Sequence, residues 1–255
     1  MPDSSQDGPE TGYYVYGVVA VADRPHPRLQ GIDDVEVVFV EHDQVAAATS
    51  QIVLDRPPGR RAELLAHTSV VDALSAAGAV LPVRFGSILE DRDSIVRELL
   101  APAHDRFVDL LANLDGCRQF NLRATYVADQ VLAEVVQTHP EIAELRRRTR
   151  DLPSETMHPD LVRLGELVSR AMEHKRVDDA QLIMDTVRPF VLDESPKQGG
   201  GVDHLLELAF LVEDERIAEL EEGLEGLAEA VHERIRLRLT GPVAPYDFAE
   251  AGAWG

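Results

Sequence analysis

Residues 13–21 read YYVYGVVAV. These nine aromatic, β-branched or small residues are interrupted only by Gly17, so the segment has no polar face to turn toward water. A strand of alternating polarity can leave one side wet. This one cannot, and it requires a sheet covered on both faces. The next segments supply neighbours for it: VEVVFV at 35–40 reads as a second strand, and VAAATSQIV at 45–53 as a third. Residues 60–77 place Leu64, Thr68, Val71 and Leu74 on one face at helical spacing, with Gly78 ending the helix as a C′ glycine. AVLPVRFGSI follows, a strand in which Pro82 points to an edge or bulge and Gly86 to a bend. The order β, β, β, α, β predicts a helix packed on a mostly antiparallel sheet, an α+β unit.

EDRDSIVRELL then begins a helix that Pro102 interrupts, and residues 103–114 resume with Phe107, Leu110, Leu111 and Leu114 on one stripe. LDG closes it. We place a domain boundary there, giving a flexible arm at 1–12 and an N-terminal α+β domain at 13–116.

The second half opens with CRQFNLRATYV, where Phe120, Leu122, Ala124 and Tyr126 alternate with Gln119, Asn121, Arg123 and Thr125, a half-exposed strand. Helices are expected at about 129–138 and 140–150 and from Pro159 toward Pro189. In the last of these Leu161, Leu164, Val168, Ala171 and Lys175 keep the period only in part, so a break near KRVDD is expected. DESPKQGGG at 193–201 reads as a glycine-rich connector. After it, VDHLLELAFLV places His204, Leu206, Leu208, Phe210 and Val212 on one face of a strand. A helix with Ile217, Leu220, Leu224, Leu227 and Val231 follows. The last strand, ERIRLRLTG, turns Ile235, Leu237 and Leu239 inward and Arg234, Arg236 and Arg238 outward. This is a helix-rich α+β domain over 117–240, followed by a tail at 241–255 rich in proline and aromatics, whose apolar punctuation calls for docking on the body first and on a partner second.

Composition narrows the function classes. With 46 acidic against 25 basic residues the net charge is −21, which repels phosphate backbones and anionic headgroups. Nucleic acid and membrane partners are therefore not expected. The basic cluster RRRTR at 146–150 is short and complements a helix C-terminus. The N-terminus has neither a basic start nor an apolar core, so no secretory signal is expected, and the lone Cys117 suits a reducing, cytoplasmic setting as a small buried residue. No phosphate loop, nucleophile elbow or zinc motif is present, and the nine histidines are scattered. This points away from an enzyme and from any cofactor or metal. Residues 213–229 carry Glu213, Asp214, Glu215, Glu219, Glu221, Glu222, Glu225 and Glu229 against Arg216 alone. They read either as an electrostatic docking surface or as a solvated face, with the following arginines paired to neighbouring acids.

Three stretches carry a resemblance: YYVYGVV at 13–19, HTSVVDALSAAGAVLPVRFGSILED at 67–91 and LTGPVAPYDF at 239–248. In this order and spacing they resemble the GvpF/GvpL family of gas vesicle proteins over nearly the whole chain. The chain departs from the family at Val243 and Ala244, where Trp and Pro are frequent, and at Asp247, where Ser is. The resemblance implies two α+β domains, the first related to ferredoxin-like sheets. It also implies a gas-vesicle-associated accessory or minor structural role, binding the hydrophobic shell protein GvpA, with other accessory gas vesicle proteins as further partners. Such binding would limit GvpA aggregation and aid shell nucleation, and no catalytic residue comes with the family. The candidate partner-binding residues are the two proline bends: Pro82, Arg84 and Phe85 in the first, and Pro242, Pro245, Tyr246 and Phe248 in the second. Two rival readings are a two-domain adaptor for another partner and a small-molecule enzyme with a site in an interdomain cleft.

Overall fold

The computed structural model describes residues 10–25, 28–150 and 159–249. The chain divides into two compact units: described residues up to Gln119 together with those from Gly241 onward, and Phe120–Thr240. Both mix helices with antiparallel pairing.

In the first unit, β1 (Thr11–Ala20), β2 (Val38–His42), β3 (Val45–Val53) and β4 (Val80–Pro82) form a sheet in the order β2-β3-β1-β4, with the short β5 (Ile88–Leu89) also paired to β1. β1 pairs antiparallel with β3 from Thr11↔Val53 to Ala20↔Val45, with a register shift between Val15 and Gly17. The extra residue of this bulge flips the side-chain parity. Tyr14 and Tyr16 share one apolar cluster, and beyond the bulge Val19 continues it. Val15 and Val18 are buried as well, on the other side. The sheet is thus covered twice, as residues 13–21 require. Helix α1 (Arg61–Ala77) contributes Val70, Val71 and Leu74 to the cluster with Tyr14. The short α2 (Arg92–Ser94) runs into a π-helical segment, Ile95–Leu100, and α3 (His104–Leu114) brings Phe107 beside Val15 and Val83.

Two expectations for α1 fail. Its buried face is Glu63, His67, Val70, Val71 and Leu74, while Leu64 and Leu65 are 48% and 58% exposed and Thr68 faces water. The periodicity of leucines misplaces the face by about one position, because two polar residues inside it have partners of their own. Glu63 accepts hydrogen bonds from the N–H groups of Gly59 and Arg60 (2.7 and 2.8 Å) and pairs with the Arg56 guanidinium. Those contacts, the Arg56 one above all, pull its carboxyl down to about 2. Gly78 does end the helix but in extended backbone, φ 173°, rather than left-handed. A Cβ there would lie 2.9 Å from that of Asp23, so close approach is what calls for glycine.

In the second unit β6 (Cys117–Tyr126), β7 (Val191–Pro196), β8 (His204–Glu213) and β9 (Ile235–Val243) form a sheet in the order β7-β8-β6-β9. The helices are α4 (Ala128–Thr138), α5 (Pro140–Thr149), α6 (Pro159–Val187) and α7 (Ile217–Val231); beyond β9 the short α8 (Tyr246–Ala249) belongs to the first unit. Phe120, Leu122, Ala124 and Tyr126 of β6 join Leu208, Phe210 and Val212 of β8 and Leu220, Leu224, Leu227 and Val231 of α7 in one core. β7 corrects the sequence reading of residues 193–196 as connector. Among the described residues it pairs with β8 alone, and at a sheet edge the missing N–H of Pro196 is tolerated. Helix α6 also runs unbroken through 175–179, 29 residues and roughly 44 Å.

The reason lies at Lys175 and Asp179, one turn apart. Asp179 is buried and accepts from the Tyr126 hydroxyl (2.8 Å) and the Arg234 guanidinium (2.5 Å), with the Lys175 ammonium at 3.6 Å. Glu134 of α4 accepts from Lys175 (2.8 Å) and lies 3.9 Å from Arg234. Polar residues that read as a helix break therefore form two acid–base pairs joining α4, α6, the end of β6 and the start of β9. Arg234 turns inward to this network, contrary to its expected place in an outward arginine row.

Candidate functional site: the seat of the proline-rich tail

The three stretches that carry the resemblance meet in the first unit. β1 places Tyr14 and Tyr16 on its α1 face, α1 places His67 opposite, and the bend after β4 brings Phe85 and Gly86. The rings of Tyr14, Tyr16, His67 and Phe85 are packed with centroids 4.9–6.2 Å apart. Gly86, at φ 94°, takes the turn that L side chains resist, and its N–H reaches the Tyr14 hydroxyl at 3.0 Å. Tyr14 Oη lies 2.9 Å from His67 Nδ1, and His67 Nε2 lies 3.1 Å from Tyr246 Oη.

One arrangement satisfies every member of the relay: the Tyr14 oxygen accepts from the Gly86 N–H while its O–H donates to Nδ1, and Nε2–H donates to Tyr246. The imidazole is neutral in this arrangement, and burial holds it so, lowering its pKa to about 4. Burial likewise pushes the Tyr14 hydroxyl well above its ordinary range, and burial followed by the nearby Asp72 carboxylate raises Tyr246 to about 12. None of the three changes protonation near neutrality. The relay ties a segment of the chain to α1 and β1.

That segment is the tail. Ala244 belongs to the core cluster of Tyr14 and His67's helix, and Pro245 and Ala249 are buried. A second tie spans 128 residues: the Gln119 amide donates to the Asp247 carboxylate at 2.5 Å and accepts from the Asp247 N–H at 3.1 Å. This explains why Gln119 is buried at a position where alternation expects exposure. The seven candidate residues divide accordingly. Pro82 is buried in β4, paired with Gly17 of β1; Phe85 is half-buried among the aromatic rings; Pro245 is buried and Phe248 half-buried. Arg84 and Pro242 are exposed, and Tyr246 keeps 37% of its surface in water. His67, Tyr14 and Gln119 escape notice in sequence reasoning. The trace they leave is that Tyr14 and His67 fall in two of the stretches that carry the resemblance.

Behind the same bend an open cleft of about 570 Å³ is lined by Val15, Val83, Ile88, Leu99, Pro102 and Phe107 among others. Among the described residues no group of three or more His, Cys, Asp or Glu is placed to hold a metal ion, and no helix is long and apolar enough to cross a membrane. Residues 1–9 of the expected arm and 250–255 of the expected tail lie outside the described residues; Thr11 and Gly12 of that arm are already in β1.

The sequence model of the family described as "Gas vesicle synthesis protein GvpL/GvpF" matches residues 12–250. The chain belongs to this family. Among similar proteins, "Gas vesicle protein F" of Streptomyces sp. (strain CB03234) is 32% identical over 243 residues, covering 93% of this chain and 99% of its own. "Gas vesicle protein L" of the same strain is 30% identical over 251 residues, covering 92% of each chain. The crystal structure of gas vesicle protein GvpF from Anabaena sp. PCC7120 superposes with a TM-score of 0.83 over 95% of this chain and 99% of that one, at 23% identity, which speaks for the GvpL/GvpF fold.

Proposed function

We infer that this GvpL/GvpF chain acts in gas vesicle assembly, associated with the gas vesicle, by binding the hydrophobic shell protein GvpA, limiting its aggregation and aiding nucleation of the shell. The observation that carries this reading is the open cleft beside the Pro82–Gly86 bend, whose apolar lining is interrupted by Ser87 and Glu98, set in a chain of net charge −21. A subunit destined for a gas-facing wall exposes apolar surface before it is placed, and such surface aggregates. A cleft that takes up part of that surface, on a strongly charged carrier, keeps the pair dispersed. Arg84 and the exposed parts of Pro242 and Tyr246, which do not line the cleft, form a further share of the contact outside it. Pro82, Phe85, Pro245 and Phe248 shape the bend and seat the docking tail behind it.

The first unit also supports a relation to ferredoxin-like sheets: its order β2-β3-β1-β4 is antiparallel where register is defined, with α1 linking β3 to β4. The stretch 21–37 then stands where such a fold carries its first helix.

Co-expression tests the binding role. Wild-type chain should raise the soluble fraction of GvpA and co-purify with it, and Ile88→Lys, which puts a charge in the cleft, should abolish both while leaving the circular dichroism spectrum intact. Wild-type chain that neither retains GvpA nor keeps it soluble sinks the reading.

A further inference from the structure

The second unit has an apolar groove of its own, of about 370 Å³, lined by Leu122 of β6, Leu224 and Ala228 of α7, and Leu237 and Leu239 of β9. Glu221 and Glu225 of α7 stand on its rim. Among the described residues β9 is the edge strand of its sheet, and Leu237 and Leu239 remain half-buried where Ile235 on the same face is buried. A groove floored by leucines that the fold leaves open, beside a helix end-to-end acidic, has a definite charge preference.

Its acids are uncommitted. Glu219 pairs with Arg216, but among the described residues Glu221, Glu222, Glu225 and Glu229 are exposed and have no ion-pair partner. The arginines that could have answered them, Arg236 and Arg238, occupy the alternate positions of β9 and are exposed on its other side. The fold therefore separates the two charges that sequence alone allows to neutralise each other. We propose that this groove is a docking site for a cationic amphipathic helix of a partner protein, its aliphatic stripe lying on Leu122, Leu224, Ala228, Leu237 and Leu239 and its Lys or Arg residues meeting Glu221 and Glu225.

Local and global charge agree on that occupant. The rim is acidic and the whole chain carries −21, so a basic segment is both steered in and held. A second copy of this chain brings the same −21 and is repelled. A strand added to the free edge of β9 is the other geometry open to this surface; it would lay alternate residues beside Arg236 and Arg238 and so select acidic ones. A helix laid against α7 and the strand edge uses leucine-type anchors at i, i+3, i+4 and i+7 spacing and needs none of those contacts. This site is separate from the bend in the first unit and does not depend on it.

The test uses the full chain and three fluorescein-labelled peptides: Leu and Lys at amphipathic helical spacing, the same composition with the spacing scrambled, and an alternating Leu/Glu strand peptide. Fluorescence anisotropy should show the amphipathic peptide binding at least about tenfold tighter than the scrambled one, with affinity falling as salt rises. Ala228→Trp fills the groove, and the exposed pair Glu221→Lys with Glu225→Lys reverses its rim; each should weaken binding about tenfold with unchanged circular dichroism. Equal binding of the scrambled peptide, no binding of either, indifference to both variants, or preference for the Leu/Glu peptide overturns the proposal. GvpA retention by the Glu221→Lys, Glu225→Lys chain, assayed in parallel, reports on the first unit alone and keeps the two readings apart.

Discussion

The two units bury polar groups in opposite ways. In the first, Tyr14, His67 and Tyr246 form a neutral relay, each member hydrogen-bonded and none ionised. In the second, Asp179, Glu134, Lys175 and Arg234 form a charged network with the Tyr126 hydroxyl as an added donor. The first depends on every hydrogen bond being in place and on the imidazole staying neutral. The second depends on each charge having its counter-charge, since an ion left alone in the interior loses its hydration with nothing in return. The neutral cluster should therefore be the acid-sensitive one, and the charged cluster the one least forgiving of a single deletion.

The sharpest way to break this contrast is Asp179→Ala. It strands Arg234 and Lys175 beside a half-compensating Glu134, and the loss in a urea melt should be about 3–5 kcal/mol. A cost under about 1 kcal/mol would mean that Glu134 alone suffices and that the network is not the pivot of its unit.

Acid should act on the other cluster. His67 has an ordinary pKa of 6.5 and a folded value of about 4. Between those values the unfolded chain takes up a proton that the folded chain refuses, so stability is full above pH 6.5 and declines toward pH 4. The integrated loss is on the order of 3 kcal/mol. Glu63, lowered to about 2, adds a second decline that starts below pH 4.5. Hydrogen-exchange protection of α1 amides, followed from pH 7 to pH 4, should show the first decline, and His67→Phe should flatten it. A slope that survives this substitution assigns the acid sensitivity elsewhere.

Tyr246→Phe removes only the last hydrogen bond of the relay and should cost about 1 kcal/mol, read as faster proteolysis of the tail more than as a lower melting temperature. Smallest of all, Leu64→Gln with Leu65→Gln should stay within about 0.5 kcal/mol, because both side chains lie on the wet face of α1. A larger loss would mean that the helix face assigned from burial is wrong.

Sequence reasoning recovers what is periodic and local. The alternation in β6 and the stripe of α7 from Leu220 to Val231 are in the core as read, and β3 spans 45–53 as read. It fails where polar residues have distant partners. Glu63 and His67 shift the face of α1, Lys175 and Asp179 imitate a break in α6, and Gln119 looks exposed because Asp247 is 128 residues away. β7 escapes for the converse reason: an edge strand bonded on one side can be spelled with Asp, Glu, Ser and Pro. The candidate site is legible as segments, in the two proline bends, but not as a site. Nothing in the chain's local pattern joins Tyr14 to His67, or either of them to Tyr246.

The order of synthesis gives Ala244 a further significance. It completes a core whose other fully buried members lie between Tyr14 and Val80, and it is synthesised 125 residues after Gln119. At ~5–20 residues per second that is a wait of roughly 6–25 s. Through this interval the segment that closes the core beside His67 has not been made, so the first unit can reach its finished packing only when the last stretch of the chain arrives.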